Sequence, residues 1–192
     1  MTELTSPLQI PAYRRYWLAR FSAVVATTGT VVIIGYQLYD VARSAYGMSI
    51  PHAAFQLGLL GLAQFLPIFL LTPVAGVLAD RFDRRHVAAI ALSLDLIIAL
   101  SLAISSSYGI QSLPLLFALA ALHGTARVFV NPAMSAIAPN IVPAALIPRA
   151  IAFNAIAWQA GSVVGPAAAG FLFAGTAALP YWSASVLLVV SA

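Results

Sequence analysis

Residues 70–94, LLTPVAGVLADRFDRRHVAAIALSL, place a short charged cluster between two long apolar runs. The cluster DRFDRRH ends one run, about residues 54–79, and begins another, about residues 87–105. The only charge within these two runs is Asp95. Because about 20 apolar residues suffice for a helix to cross a membrane, this stretch predicts two spanning helices joined by a charged loop.

The composition of the whole chain points the same way. Of its 192 residues, 62% are hydrophobic and 7% are charged, and the mean hydropathy is +0.97. Soluble domains carry roughly 25% charged residues, so a soluble enzyme and a disordered chain are both excluded. The sequence predicts an all-α membrane protein, a bundle of six transmembrane helices.

The apolar runs set the expected organisation. Residues 1–12 are expected to form a cytoplasmic tail, and residues 13–192 the helix bundle. The expected spans are approximately 16–38, 54–79, 87–105, 113–138, 150–174 and 181–192. A helix over 181–192 would be about 18 Å long, less than the hydrocarbon thickness of about 30 Å. We therefore expect an incomplete last helix and a truncated sequence.

Arginine placement predicts the orientation. Cytoplasmic loops of membrane proteins are enriched in Arg and Lys. Six arginines fall in the N-terminal tail, the loop after span two and the loop after span four: Arg14, Arg15, Arg81, Arg84, Arg85 and Arg149. Only Arg43 falls on the other side. We expect a multi-pass protein of the inner (plasma) membrane with a cytoplasmic N-terminus.

No pattern typical of an enzyme occurs in the chain. The sequence has no cysteine, its three histidines are scattered, and no zinc-binding, serine-nucleophile or phosphate-binding motif is present. We expect no enzymatic activity, no cofactor and no metal. The basic residues form no patch that follows a phosphate backbone, so nucleic acid is not an expected partner.

The loop after span two has a pattern of its own, GVLADRFDRR over residues 76–85. Gly76 and Asp80 share one helical face. The glycine would allow another helix to approach closely, and the carboxylate would meet the positive N-terminal end of that helix. The alternative is a simple cytoplasmic anchor.

This pattern resembles the loop between helices two and three of the major facilitator superfamily, G-x-L-A-D-R-x-G-R-[RK]. The matching positions are Gly76, Asp80, Arg81, Arg84 and Arg85. Asp83 replaces the second glycine, so the loop is expected to turn differently. The resemblance implies that Asp80 docks against a helix of a C-terminal half as part of a cytoplasmic gate.

Three further stretches resemble the drug and siderophore exporter branch of that superfamily, which is enterobactin-exporter-like. They are YRRYWLARF at 13–21, the connector 132–143, and GSVVGPAAAG at 161–170, where Ala169 departs from the motif. The resemblance implies the N-terminal half of a proton antiporter that exports amphipathic small molecules such as drugs or siderophores. Its partners would be the lipid bilayer, a small-molecule substrate, and a C-terminal six-helix half or second subunit.

The stretch 161–170 also has a physical interpretation. Gly161, Gly165 and Gly170 form a small-residue stripe suited to close helix packing, and Pro166 removes one backbone hydrogen bond. This combination favours a hinge that moves during transport. The alternative is an ordinary packing motif.

Charges inside the predicted spans are further candidate site residues. A charge at the bilayer centre costs roughly 2.5–3.5 kcal/mol on the lower scale, so each needs a partner. We expect Asp95 to pair with Arg127, and a protonatable Asp95 to couple proton movement to transport. Alternatively, Asp95 is a structural acid. Arg20 is a third candidate, although it lies near enough to the end of span one to snorkel.

Polar side chains within the spans are candidates for a substrate path. They are Gln37, Asn131, Asn154, Trp158 and Gln159. Trp158 and Gln159 lie in the middle of span five, where a polar group needs an internal partner. A competing hypothesis for the whole chain is a non-transporting membrane scaffold or a decayed transporter fragment.

Overall fold

A computed structural model of the chain describes residues 5–191, apart from the side chains of Ala79 and Asp80. Six helices follow one another: α1 (Pro11–Ser44), α2 (Ile50–Arg81), α3 (Arg84–Ser107), α4 (Leu113–Ile137), α5 (Ile147–Phe173) and α6 (Leu179–Ser191). Short 3-10 turns lie at Pro7–Gln9, Ala138–Ile141 and Ala144–Leu146, and no strand occurs in the described part of the chain. The predicted all-α, six-helix class is confirmed.

Five of the helices are long and apolar enough to cross a membrane. The sixth, α6, is apolar but has 13 residues. The helices extend beyond the apolar runs that predict them. In α1 the helix begins at Pro11, because proline has no N–H to leave unsatisfied in the first turn.

Helix α1 lies at the centre of the bundle. It packs mainly against α5 and α6, with smaller contacts to α2 and α4, while α4 packs against α2 and α3. Its buried side chains include Ile33, Ile34 and Leu38. At the start of α1, the Tyr13 hydroxyl donates a 2.6 Å hydrogen bond to the Ala150 carbonyl of α5. This bond ties the two helices together where both begin.

Helices α2 and α5 bury the smallest share of their spans. Phe55, Phe65 and Phe69 of α2 and Phe171 of α5 are all more than half exposed. Apolar side chains on an outer face are what a bilayer requires, since no water is present to solvate polar ones. The bundle therefore presents an apolar surface to its surroundings.

Glycines set the distance between α1 and α5. A methyl group added at Gly161 would lie 2.7 Å from Val24 Cγ1, and one at Gly165 would lie 2.6 Å from the Val25 carbonyl oxygen. The Thr28 hydroxyl lies 3.3 Å from the Gly161 carbonyl oxygen across this contact. The expected close packing is thus present at the first two glycines of the stripe.

Gly170 does not share in this packing. A methyl group there would meet no described atom within 4 Å, because the helix has turned that position away from α1. Helix α5 continues through Pro166 to Phe173. A hinge role for the motif remains a prediction.

A fourth glycine, Gly124, sets the crossing of α2 and α4. A methyl group added there would overlap the Gln64 backbone carbonyl of α2. The sequence pattern does not single out this position. A single glycine in an apolar helix does not indicate a close helix contact unless the position of the neighbouring helix is known.

Only Phe82 and Asp83 separate α2 from α3. Asp83 caps α3, and its carboxylate accepts a 2.9 Å hydrogen bond from the Arg85 backbone N–H. Its φ is −60°, a conformation that needs no glycine. The loop accommodates aspartate at this position because the residue serves as the N-cap of the next helix.

Gly165→Ala is expected to destabilise the bundle by about 1–3 kcal/mol, since the added methyl meets backbone atoms that cannot rotate away. Gly170→Ala is the matched control, because its methyl enters open space. Thermal unfolding of the purified protein in detergent compares the two. Equal melting temperatures for both variants would contradict the packing role.

Asp83→Ala is expected to lower stability by about 1 kcal/mol through loss of the helix cap. Asp83→Asn keeps an acceptor oxygen at the same place, so its melting temperature is expected to equal that of the wild type. The same thermal measurement tests this pair. A loss in the Asn variant as large as that in the Ala variant would assign the effect to charge instead of capping.

Candidate functional site

A polar cleft opens between α1, α4 and α5, with a volume of about 440 Å³. Its polar lining residues are Arg20, Asn131, Ser135, Asn154, Trp158 and Gln159. A second cleft of about 480 Å³ shares Asn131 and Trp158 with it, and is also lined by Arg127, Thr72 and Gly76. We refer to the two together as the polar cleft. Four of the five predicted substrate-path residues therefore lie together.

Arg20 enters the cleft from α1 and is 3% exposed. Its two terminal nitrogens lie 3.4 Å from Asn131 Oδ1 and 3.5 Å from Ser135 Oγ. Its guanidinium carbon is 5.2 Å from the centre of the Trp158 ring, a distance typical of a cation–π contact. Arg20 therefore points into the bundle, and the snorkelling alternative is wrong.

Tyr16 lies one turn before Arg20 on α1 and contacts Asn154, which lines the polar cleft. Its hydroxyl lies 2.9 Å from the Met134 carbonyl oxygen and 2.8 Å from the Asn154 side-chain amide. These contacts link α1 to both α4 and α5. Tyr16 and Ser135 were missed as site residues because an aromatic near a span end suggests an interfacial belt, and a serine near a helix end has no distinctive signal.

Asp95 and His123 form the most buried polar pair among the described side chains. The two are 2% and 0% exposed, and His123 Nδ1 lies 2.5 Å from Asp95 Oδ1. His123 Nε2 lies 3.2 Å from the Thr27 carbonyl oxygen of α1. The pair thus connects α3, α4 and α1 at one point.

The two contacts of His123 have different hydrogen-bonding requirements. A backbone carbonyl oxygen only accepts, so Nε2 of His123 carries a hydrogen. The 2.5 Å contact on the other side of the ring then holds one more proton, since otherwise two lone pairs would face each other. The second oxygen of Asp95, Oδ2, has no hydrogen-bond partner among the described atoms.

The expected pairing of Asp95 with Arg127 is therefore wrong. The partner within 4 Å is His123, which stands one helical turn before Arg127 on the same face of α4. The shorter imidazole fills the space beside α3, while Arg127 reaches the polar cleft. His123 was missed because the sequence alone does not give the register between α3 and α4.

Gln37 is the one predicted substrate-path residue that lies elsewhere. Its amide nitrogen donates a 2.9 Å bond to Ser106 Oγ, and its oxygen accepts a 2.7 Å bond from the Tyr181 hydroxyl. It is 6% exposed and lines neither part of the polar cleft. Gln37 links α1, α3 and α6.

The charged loop lies at one end of the bundle. Arg81 and Arg85 are exposed, and Arg84 donates a 3.3 Å hydrogen bond to the Ala136 carbonyl at the end of α4. The side chain of Asp80 lies outside the described residues, so its gate role remains a prediction. Gly76 borders the polar cleft and has no described atom within 4 Å of an added methyl.

Comparison with known proteins gives the family. A major facilitator family model described as transmembrane secretion effector matches residues 2–191. The staphyloferrin A transporter of Staphylococcus aureus (strain NCTC 8325 / PS 47) is 23% identical over 146 residues, covering 75% of this chain and 36% of that protein.

Two uncharacterised MFS-type transporters are also similar. The one from Mycobacterium tuberculosis (strain ATCC 25618 / H37Rv) is 33% identical over 150 residues, which is 78% of this chain and 30% of that protein. The one from Bacillus subtilis (strain 168) is 30% identical over 129 residues, which is 64% of this chain and 30% of that protein. The chain spans about a third of the length of these relatives. Since the family model covers almost every residue and the fold is a bundle of six apolar helices, the chain belongs to the transmembrane secretion effector family of major facilitator superfamily transporters.

Proposed function

We propose that the chain is the N-terminal half of a secondary active transporter that exports amphipathic small molecules in exchange for protons. Drugs and siderophores are the proposed cargo classes. The single observation that carries this proposal is the pairing of a polar cleft with a proton-holding Asp95–His123 contact inside an apolar bundle. Buried ionisable groups are rare in membrane helices and mark ion or substrate pathways.

The cleft supports the cargo part of the proposal. Ligand pockets commonly measure about 300–1,000 Å³ and combine apolar walls with a few polar groups. Both parts of the polar cleft fall in this range, and Trp158 supplies an aromatic face beside three amides and two guanidiniums. The printed name of the Staphylococcus aureus relative, a staphyloferrin A transporter, further favours a siderophore as cargo.

The Asp95–His123 pair supports proton coupling. Removing the shared proton would leave a carboxylate and an imidazole lone pair 2.5 Å apart, so the contact would have to open. Opening would break this polar link between α3 and α4 and also disturb the bond from His123 to α1. Arg127 lies one turn further along α4 from His123 and lines the polar cleft. Proton loss and helix movement are therefore linked at one place.

A second six-helix unit completes the proposed transporter. Superfamily members place the substrate near the midplane between two halves, and the relatives are about three times as long as the matched segment. We propose that such a unit, on the same polypeptide or on a second subunit, covers the open side of the polar cleft. In this arrangement Asp80 would dock on it as the cytoplasmic gate.

The proposed location is the inner (plasma) membrane, with the N-terminus in the cytoplasm. The charged loop with Arg81, Arg84 and Arg85 then faces the cytoplasm, as the distribution of arginine favours. Arg20 lies in the first third of α1. Its part of the cleft is therefore nearer the cytoplasmic side, where cargo for export would enter.

Dye efflux tests the proposed function. Cells that express the full product of the gene are loaded with rhodamine 6G, an amphipathic cation, or carboxyfluorescein, an amphipathic anion. We expect at least one dye to leave faster than from cells without the gene, and a protonophore to abolish the difference. Unchanged efflux of both dyes in cells that contain the protein in the membrane would favour the scaffold alternative.

Asp95→Asn tests proton coupling. The asparagine amide can still donate to His123 Nδ1, so the fold is expected to persist, but it has no proton to exchange. We expect a melting temperature close to that of the wild type and loss of efflux that depends on the proton gradient.

Asp40→Asn is the matched control, since Asp40 is exposed near the end of α1. It is expected to behave as the wild type in both measurements. Efflux by Asp95→Asn that a protonophore still abolishes would show that another group carries the proton.

A further inference from the structure

Arg20 is a buried cation with no carboxylate beside it among the described side chains. At 3% exposure it is among the most enclosed charged groups of the described chain. Among the described side chains, no carboxylate lies within 4 Å of it. The ion pairs in this part of the chain are His86–Asp83 and His123–Asp95, and neither includes Arg20. Within the described part of the chain, the charge of Arg20 is therefore met by neutral groups.

These neutral groups satisfy the guanidinium incompletely. The contacts to Asn131 and Ser135 are 3.4 and 3.5 Å long, whereas charge-assisted hydrogen bonds typically measure 2.7–2.9 Å. The Nε atom has no partner among the described atoms. An uncompensated buried charge is strongly unfavourable, yet Arg20 points into a cleft that is wide enough for a ligand.

We propose that Arg20 is the binding site for a carboxylate group of the cargo. This inference rests on the proposed function, because it takes the polar cleft as the place where cargo binds. A guanidinium presents its donors as a planar fork that matches a carboxylate, and the two terminal nitrogens of Arg20, which have only long contacts to neutral groups, form one such edge. The amide of Asn131 and the hydroxyl of Ser135 stand beside it as further hydrogen-bonding groups.

The surroundings favour a carboxylate over a phosphate. Phosphate sites commonly gather several cations or the free backbone N–H groups of a helix N-terminus. The part of the cleft around Arg20 has one guanidinium, three amides and a hydroxyl, and it lies between α1, α4 and α5. The Trp158 ring adjoins the guanidinium and provides an apolar face for the body of an amphipathic cargo.

Binding is measured on the purified full-length protein in detergent, without a proton gradient. The probe is carboxyfluorescein, followed by fluorescence anisotropy, and citrate and inorganic phosphate serve as competitors. We expect carboxyfluorescein to bind and citrate to displace it at lower concentration than phosphate. Failure of the wild-type protein to bind carboxyfluorescein and citrate would overturn the inference, as would displacement by phosphate ahead of citrate.

Arg20→Gln is expected to weaken carboxyfluorescein binding about tenfold or more, the usual effect of losing a hydrogen bond to a charged group. Arg20→Lys keeps the charge but loses the planar fork of donors. Its affinity for carboxyfluorescein is expected to lie between that of Arg20→Gln and that of the wild type. Arg15→Gln, at an exposed position of the same helix, is the matched control. Equal binding by folded Arg20→Gln and wild type would overturn the inference.

Asn131→Asp provides a second test that does not depend on removing Arg20. The new carboxylate would lie within reach of the guanidinium, since Asn131 Oδ1 is already 3.4 Å away. We expect this variant to melt at a higher temperature than the wild type and to lose carboxyfluorescein binding, because its own side chain occupies the site. Wild-type binding by this variant would overturn the inference.

The two proposals fail in different ways. A wild-type protein that binds carboxyfluorescein through Arg20 but moves neither dye across a membrane would retain the carboxylate site and lose the proposed export function. A protein that exports rhodamine 6G but does not bind carboxyfluorescein or citrate would retain the function and lose the carboxylate site.

Discussion

The absence of water from the hydrocarbon core is the constraint on which this structure depends. Every polar group within the helices must find a partner inside the protein. Gln37 does so with Ser106 and Tyr181, and Asp95 does so with His123. Arg20 does so only in part. The degree to which each polar group is satisfied therefore separates those that hold the bundle together from those available for a ligand.

Helix α1 contributes to each of these arrangements. Thr27 supplies the carbonyl that orients His123, Arg20 lines the polar cleft, and Tyr16 contacts Asn154, which also lines it. Thr28 lies at the glycine contact with α5. Since these residues span about three turns of one helix, a displacement of α1 would reach the proton-holding pair, the cleft and the α5 contact together. In the proposed function, this continuity would link proton movement to cargo movement.

The sequence predicts the helices well because hydrophobicity and length determine them. It also predicts the short loop after α2, although not that Asp83 caps α3. Pairings between helices are harder to predict, because they depend on the rotation and depth of one helix against another. This dependence explains why the pairing of Asp95 with Arg127 was wrong and why His123 was missed. It also explains the separate location of Gln37. Gly170 shows the same limit, since a shared motif did not reveal which of its glycines faces α1.

The helix contacts at these glycines also define two closely packed helix pairs within the bundle. Gly124 brings α2 and α4 into backbone contact, and Gly161 and Gly165 do the same for α1 and α5. Neither pair can separate without opening a void, and neither can close further. The two pairs contact each other less extensively than the helices within each pair do. The contacts between the pairs include the hydrogen bond from His123 to Thr27 and the contact of Arg20 with Asn131. The polar cleft lies on the seam between these two helix pairs, where Arg20 of α1 meets Asn131 of α4.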